Sequence, residues 1–187
     1  ANINPIKGLE LFLNVAHRLN GKLKNLQFIV VGPVHKNQER YFHRLLKLVK
    51  ELGVHNIDFP GRVSDTRGYL TIFDVFLCTS VSESGPLTLW EAMSMQRAVV
   101  TTDVGDVRKY VCSGKSGEVL GINDDLGMSE KIAELYHDSE RRKRYGEEAR
   151  KVITRNFDSV KCADKQLAVY RRLADSSTEM KSTTPDL

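Results

Sequence analysis

Apolar residues follow two alternating periods along the first two thirds of the chain. Leu9, Phe12, Leu13, Ala16 and Leu19 share one helical stripe; after Gly21 and a polar turn, Leu26-Gln27-Phe28-Ile29-Val30-Val31 reads as a buried strand. The spacing predicts a second helix over 41–52, with Leu45, Leu48, Val49 and Leu52 on one face and Gly53 as its stop. A short strand at 56–59 follows. Residues 74–79 (Asp-Val-Phe-Leu-Cys-Thr) read as a strand, 86–95 as a helix opened by proline in its first position, and 98–102 (Ala-Val-Val-Thr-Thr) as another strand. A short helix at 107–111 and a strand at 117–120 complete the alternation. From 126 onward only helical patterns remain, over 126–137, 140–155 and 160–173.

Short strands alternating with helices pair in parallel through right-handed crossovers, so the expected fold class is α/β. The architecture is a Rossmann-like three-layer α/β/α domain with a parallel sheet. It is expected over 1–174, with 175–187, short of large apolar residues, as a frayed tail. In such sheets ligands sit beyond the C-terminal strand ends, which singles out the loops at 32–37, 61–66, 80–86 and 103–106.

Composition narrows the functional classes. The chain has 187 residues, 41% of them hydrophobic, enough for one core without disulfide or metal staples. No apolar run of membrane-spanning length and no signal-like amino terminus is present, and Cys78, Cys112 and Cys162 are far apart with no CxxC pair. A reduced, cytoplasmic setting without a metal site is expected. The net charge is +4, but acidic and basic residues intermix. The densest basic run, Arg141-Arg142-Lys143-Arg144, precedes Glu147 and Glu148 at helical spacing and reads as a solvated helix face. Nucleic-acid binding is therefore not expected.

The loop at 80–87, Ser80-Val81-Ser82-Glu83-Ser84-Gly85-Pro86-Leu87, joins a strand to a helix start and is rich in small residues. Gly85 allows close approach of a ligand, and the free N–H groups of Leu87 and Thr88 add to the positive end of the helix dipole. Leu87, Leu89, Trp90, Ala92 and Met93 describe a helix buried on most sides, so Glu91 within it is expected to be buried and to need a partner. Thr88, Glu91 and Met95 share a stripe, which would offer Glu91 to ribose hydroxyls when a phosphate occupies the dipole end. Glu83 then faces what lies beyond the phosphates.

Glu83-x7-Glu91, set in Cys-Thr-Ser-Val-Ser-Glu-Ser-Gly-Pro-Leu-Thr-Leu-Trp-Glu-Ala-Met and followed by Ala-Val-Val-Thr-Thr-Asp-Val-Gly, resembles the E-x7-E signature of retaining GT-B glycosyltransferases of family 4. An upstream Lys-Gly, a strand ending in Val-Gly-Pro and a Phe-Pro-Gly turn extend the resemblance over roughly 5–170. It implies the C-terminal, donor-binding half of a GT-B fold. It further implies that Glu83 positions the donor hexose, that Glu91 holds the ribose, and that Ser84, Gly85, Pro86, Leu87 and Thr88 contact sugar and phosphate. Lys7 would neutralise the diphosphate, with Glu83 in the catalytic set, while Arg62, Val63 and Gly32 lie in loops near the base. The donor would be a UDP- or GDP-linked sugar, with no cofactor and no metal.

The pattern departs from the family at Asn2, where an arginine is usual, at Gln96-Arg97-Ala98 in place of Gly-x-Pro, and at Asp106 and Lys109. The acceptor-binding N-terminal domain of such enzymes has no counterpart in the chain, so the chain is expected to bind donor without turnover. Peripheral membrane association of a longer protein stays open. A non-catalytic nucleotide-binding or scaffold subunit of a two-chain complex is the alternative. A dinucleotide-dependent oxidoreductase is disfavoured, because no GxGxxG follows the first strand.

Overall fold

The computed structural model describes residues 2–182, with side chains described through Ala174. A 3-10 turn at Pro5–Lys7 leads into α1 (Leu9–Leu19), then β1 (Phe28–Val31), α2 (Glu39–Glu51) and β2 (Ile57–Gly61). Next come α3 (Arg67–Ile72), β3 (Val75–Cys78), α4 (Leu87–Ser94), β4 (Ala98–Thr102), α5 (Val107–Tyr110) and β5 (Glu118–Leu120). The chain ends in α6 (Asp125–His137), α7 (Ser139–Asn156) and α8 (Ser159–Ser182). The tail expected at 175–187 falls where side chains are not described, and from 183 it lies outside the described residues.

β4 shows why the molecule has three layers. All five of its residues are buried. Ala98 and Val100 join a core with Leu13 and Val15 of α1, Leu45 of α2 and Met128 of α6, while Val99 joins the opposite core with Leu89 and Met93 of α4, Val107 of α5 and Ala149 of α7. Side chains alternate across a strand, so a strand buried along its whole length has cover on both faces. The helices supply it. The Rossmann-like α/β/α architecture is as the alternation predicts, and each strand pair is parallel.

The strands are grouped as a β1-β2 pair and a β3-β4-β5 sheet. Between β1 and β3 lies a cavity of about 420 Å³, lined by Phe28 and Ile29 on one side, Val75, Phe76 and Leu77 on the other, and Phe12 of α1. Correspondingly β1 and β3 are mostly half-buried, although Phe-Ile-Val-Val and Val-Phe-Leu-Cys are as apolar as β4.

Two sequence expectations need correction. Pro86 is the N-cap of α4, with extended backbone (φ −74°, ψ 92°), and Leu87 takes the first helical position. The basic run is also not a solvated face throughout, since Arg141 and Arg142 are half-buried while Lys143 and Arg144 are exposed. Arg141 turns inward because α7 places it over the carboxylate of Glu118 on β5, at 3.0 Å.

Candidate functional site

The site is assembled where the amino-terminal turn meets the end of β3. Gly8 follows Lys7 with φ +59°, and a Cβ there would lie 2.0 Å from the carbonyl oxygen of Thr79. Only glycine permits both the left-handed backbone and this approach. The turn is then tied down: Val81 N–H donates to Ile6 O at 2.8 Å, and Thr79 Oγ1 donates to Lys7 O at 3.0 Å. Lys7 is thereby carried to the loop after β3.

There Lys7 Nζ donates to Glu83 Oε1 at 2.5 Å, and Ser80 Oγ donates to the same oxygen at 3.0 Å. Ser80 is buried and fixed in turn, its carbonyl accepting from Thr102 Oγ1 at 2.6 Å. Among the described residues no hydrogen bond is made to Glu83 Oε2, which leaves that oxygen as an acceptor for a ligand hydroxyl. Gly105, with φ +50°, backs the loop: a Cβ there would stand 2.3 Å from the carbonyl oxygens of Glu83 and Ser84, and Asp106 N–H donates to Ser84 O at 3.0 Å. Two close glycine contacts thus fix the Lys7 and Glu83 segments from opposite sides.

Lys7 opens onto a cavity of about 120 Å³ that also contains Ser80, Thr88 and Glu91, with Thr66, Tyr69 and Phe73 across from them. Thr88 and Glu91 are adjacent on one helical face, as the stripe predicts. Glu91 is exposed, however, so the expectation of a buried, partnered carboxylate is wrong. The burial of α4 falls on Leu89, Trp90, Ala92 and Met93, leaving the Thr88 and Glu91 side open. The first bonded backbone donor of α4 is Leu89, whose N–H returns to Pro86 O at 2.9 Å, so the N–H groups of Leu87 and Thr88 precede the intrahelical bonds.

The remaining predicted residues are placed less centrally. Ser84, Gly85, Pro86 and Leu87 form the loop and cap above the cavity without lining it, and Leu87 is 73% exposed. Arg62 is exposed and Val63 half-buried in the loop after β2. Gly32 is buried at the end of β1, its N–H donating to Gly61 O at 3.0 Å. Sequence reasoning missed Ser80, Thr66, Tyr69 and Phe73. Ser80 carried a signal, a hydroxyl three residues ahead of Glu83; the other three sit on or beside α3, too short to show a helical period. Among the described residues no group of three His, Cys, Asp or Glu side chains is placed to hold a metal ion, and no helix is long and apolar enough to cross a membrane.

Comparison with known proteins bears on the family and the fold. Residues 1–152 match the family described as glycosyl transferases group 1. The chain is 25% identical over 183 residues to the putative glycosyltransferase EpsD of Bacillus subtilis, covering 97% of this chain and 46% of that protein, so it spans about half of that relative's length. Among solved structures it resembles the C-terminal domain of a group 1 family protein, LpcC, from Francisella tularensis, with a TM-score of 0.77 and 22% identity over 84% of this chain and 83% of that one. It also resembles Anabaena HepE in complex with UDP and glucose, with a TM-score of 0.85 and 18% identity over 91% of this chain and 46% of that one. At these identities the structural likenesses establish the fold, that of a GT-B C-terminal domain.

Proposed function

The chain belongs to the group 1 glycosyl transferases, and we propose that it is the donor-binding half of an enzyme that moves a hexosyl group from a nucleoside-diphosphate sugar to an acceptor, with retention. The observation that carries this reading is the Lys7–Glu83 pair, 2.5 Å apart, whose lysine lines the cavity that also holds Thr88 and Glu91. A cation, helix-terminal N–H groups and two carboxylates in one row match the charge sequence of a sugar nucleotide. The diphosphate lies between Lys7 Nζ and the N–H groups of Leu87 and Thr88; Glu91 accepts from the ribose hydroxyls; Glu83 Oε2 accepts from a sugar hydroxyl.

In this reading Lys7 exchanges part of its contact with Glu83 for the β-phosphate as the glycosidic bond breaks and charge moves onto the leaving group. Such stabilisation grows toward the transition state and requires no metal ion. Arg62, Val63 and Gly32 border the base. The acceptor sits on a separate domain, consistent with a chain that spans 46% of its relative EpsD, and closure of the two domains completes the site. UDP heads the candidate nucleotides, because HepE, which shares the fold, is described in complex with UDP and glucose.

The test is titration of the chain with UDP, GDP and ADP, followed by backbone amide shifts. One nucleotide is expected to bind at about millimolar affinity or better, moving the amides of Lys7, Glu83, Leu87 and Thr88. Glu91→Ala should weaken it about tenfold. Absence of shifts with the whole panel would refute the assignment.

A further inference from the structure

α3 forms one wall of the cavity at Lys7. Thr66, Tyr69, Leu70 and Phe73 recur at helical spacing and all four line it, across from Thr88 and Glu91 of α4. The helix itself has little to hold it. It spans six residues with Leu70 its one buried member, while Arg67, Gly68, Thr71 and Ile72 are exposed. Leu70 N–H donates to Thr66 O at 3.0 Å and Phe73 N–H to Tyr69 O at 3.2 Å, and the pairing of Asp65 with Arg67 stays within the same segment. So short a helix owes its place to tertiary contacts more than to its own hydrogen bonds.

Arg97 supplies a hold from another part of the fold. Its Nη1 donates to the carbonyl oxygens of Thr71 at 3.2 Å and Phe73 at 3.0 Å, at the end of α3 where a helix leaves carbonyl groups without intrahelical partners. A cation there also meets the negative pole of the helix dipole. The guanidinium is fixed on its other side, since Nε donates to Met95 O at 2.9 Å. The turn that carries Arg97, between α4 and β4, is itself gripped by α7. Gln96 holds a left-handed conformation in it (φ +57°), and a Cβ on Gly146 of α7 would stand 2.0 Å from the Gln96 carbonyl oxygen. Arg150, also of α7, donates to Ser94 O at 2.7 Å. Arg97 thus reaches from a fixed turn to the loose end of α3.

We propose that Arg97 is a positioning residue of the ligand site: anchored on the turn between α4 and β4, it holds α3 in place and so sets the gap between Tyr69 and Glu91. Arg97 does not line the cavity, so it acts through α3 and not on the ligand. An α3 that is already placed has less freedom to lose when a ligand fills the gap, which strengthens binding from out of reach. In the function proposed above Glu91 meets the ribose and Lys7 the diphosphate, so the effect falls on the nucleoside end of a donor and spares its phosphates. That link rests on the proposed function; the hold on α3 does not.

The parent chain, Arg97→Met, which keeps the side-chain stem, and Arg97→Lys are compared well below their melting temperatures. Amide hydrogen exchange at Leu70 and Phe73 is expected to quicken at least about fivefold in Arg97→Met, while β4 keeps its protection. In amide-shift titrations, UDP is expected to bind that variant about three- to tenfold more weakly, and inorganic diphosphate to bind it as it binds the parent. Arg97→Lys, with its charge still at the end of α3, should fall between the two in exchange and in UDP affinity. Unchanged exchange at Leu70 and Phe73 overturns the hold on α3. Equal losses of UDP and diphosphate binding make Arg97 a general support of the fold and overturn its positioning role, as does quickened exchange with unchanged UDP affinity. UDP binding to none of the three forms defeats the proposed function and the link to the nucleoside with it, and leaves the hold on α3 to be decided by exchange alone.

Discussion

Two carboxylates in this molecule each accept from one cation and one hydroxyl, in different surroundings. Glu118 Oε1, on β5, accepts from Arg141 at 3.0 Å and from the Tyr145 hydroxyl at 2.6 Å. Glu83 Oε1, in the loop after β3, accepts from Lys7 at 2.5 Å and from the Ser80 hydroxyl at 3.0 Å. Around Glu118 the remaining bonding capacity is used within the fold. Arg141 also reaches Glu134 at 2.9 Å and lies 5.2 Å from the centre of the Tyr145 ring, so the cluster joins β5, α6 and α7. Burial, and then the bond to Glu118, push the Tyr145 phenol above its ordinary range. Around Glu83 the second oxygen takes no hydrogen bond among the described residues, and Lys7, its ionic partner, lines a cavity. The bonded partners are alike in kind; what differs is whether the cation is held by further groups of the fold, as Arg141 is, or lines a cavity, as Lys7 does.

Cutting each cluster should separate stability from binding. Glu118→Ala leaves Arg141 and Tyr145 without their shared acceptor under α7, and the side chain removed is only 8% exposed. Loss of one partner from such a pair costs about 3 kcal/mol, which for a domain of this size lowers the melting temperature by about 6–12 °C. Nucleotide affinity of the folded protein should not change. Thermal melts combined with calorimetry at a temperature where both forms are folded measure the two quantities separately, and a loss of affinity would make Glu118 part of the ligand site.

Lys7→Met is the reciprocal case. Its methylenes are kept but its charge is removed, so a nucleoside diphosphate loses one charge-assisted contact, about 1.4–2 kcal/mol or roughly ten- to thirtyfold in affinity. Unfolding by urea should move by less than about 1 kcal/mol, because both side chains of the pair keep partial access to solvent. A large loss of stability with unchanged affinity would place Lys7 with Glu118, as a joint of the fold.

How much of this was readable beforehand differs between the two clusters. The strands and most helices follow from hydrophobic period: 98–102 was predicted as a strand and is β4, and the helices read at 126–137 and 140–155 are α6 and α7 to within a residue. α3 escaped notice because six residues make too short a window, with Leu70 its one buried member. The site was legible at Glu83, Thr88, Glu91 and Lys7 because motif and spacing name them. That Lys7 touches Glu83 was not, since 76 positions separate them and a glycine contact across the fold sets their distance. The exposure of Glu91 was misread because a run of apolar neighbours says how much of a helix is buried, not which side is left open. The Glu118 cluster was missed altogether: Arg141 looks like any member of a basic run until α7 is docked on β5.

The smallest expected effect lies at the edge of the structural cluster, and it gives the comparison a pH axis. Glu134 accepts from Lys131 at 2.8 Å and from Arg141 at 2.9 Å, and the Lys131 bond first, then Arg141, holds its carboxyl below the ordinary range. Because the folded form binds its proton less readily than the unfolded one, the pair contributes stability above the unfolded pKa of about 4.3, and the contribution is lost as pH falls through the lower folded value. The side chain is 41% exposed, so screening keeps the effect near 0.5 kcal/mol or less. Glu134→Gln should therefore lower the melting temperature slightly at pH 7 and not at pH 3, giving a flatter acid limb than the parent chain. Nucleotide affinity should be the same in both at neutral pH. Parallel limbs across that interval would show that Arg141 is held by Glu118 and Tyr145 without help from Glu134, and would confine the structural cluster to β5 and α7.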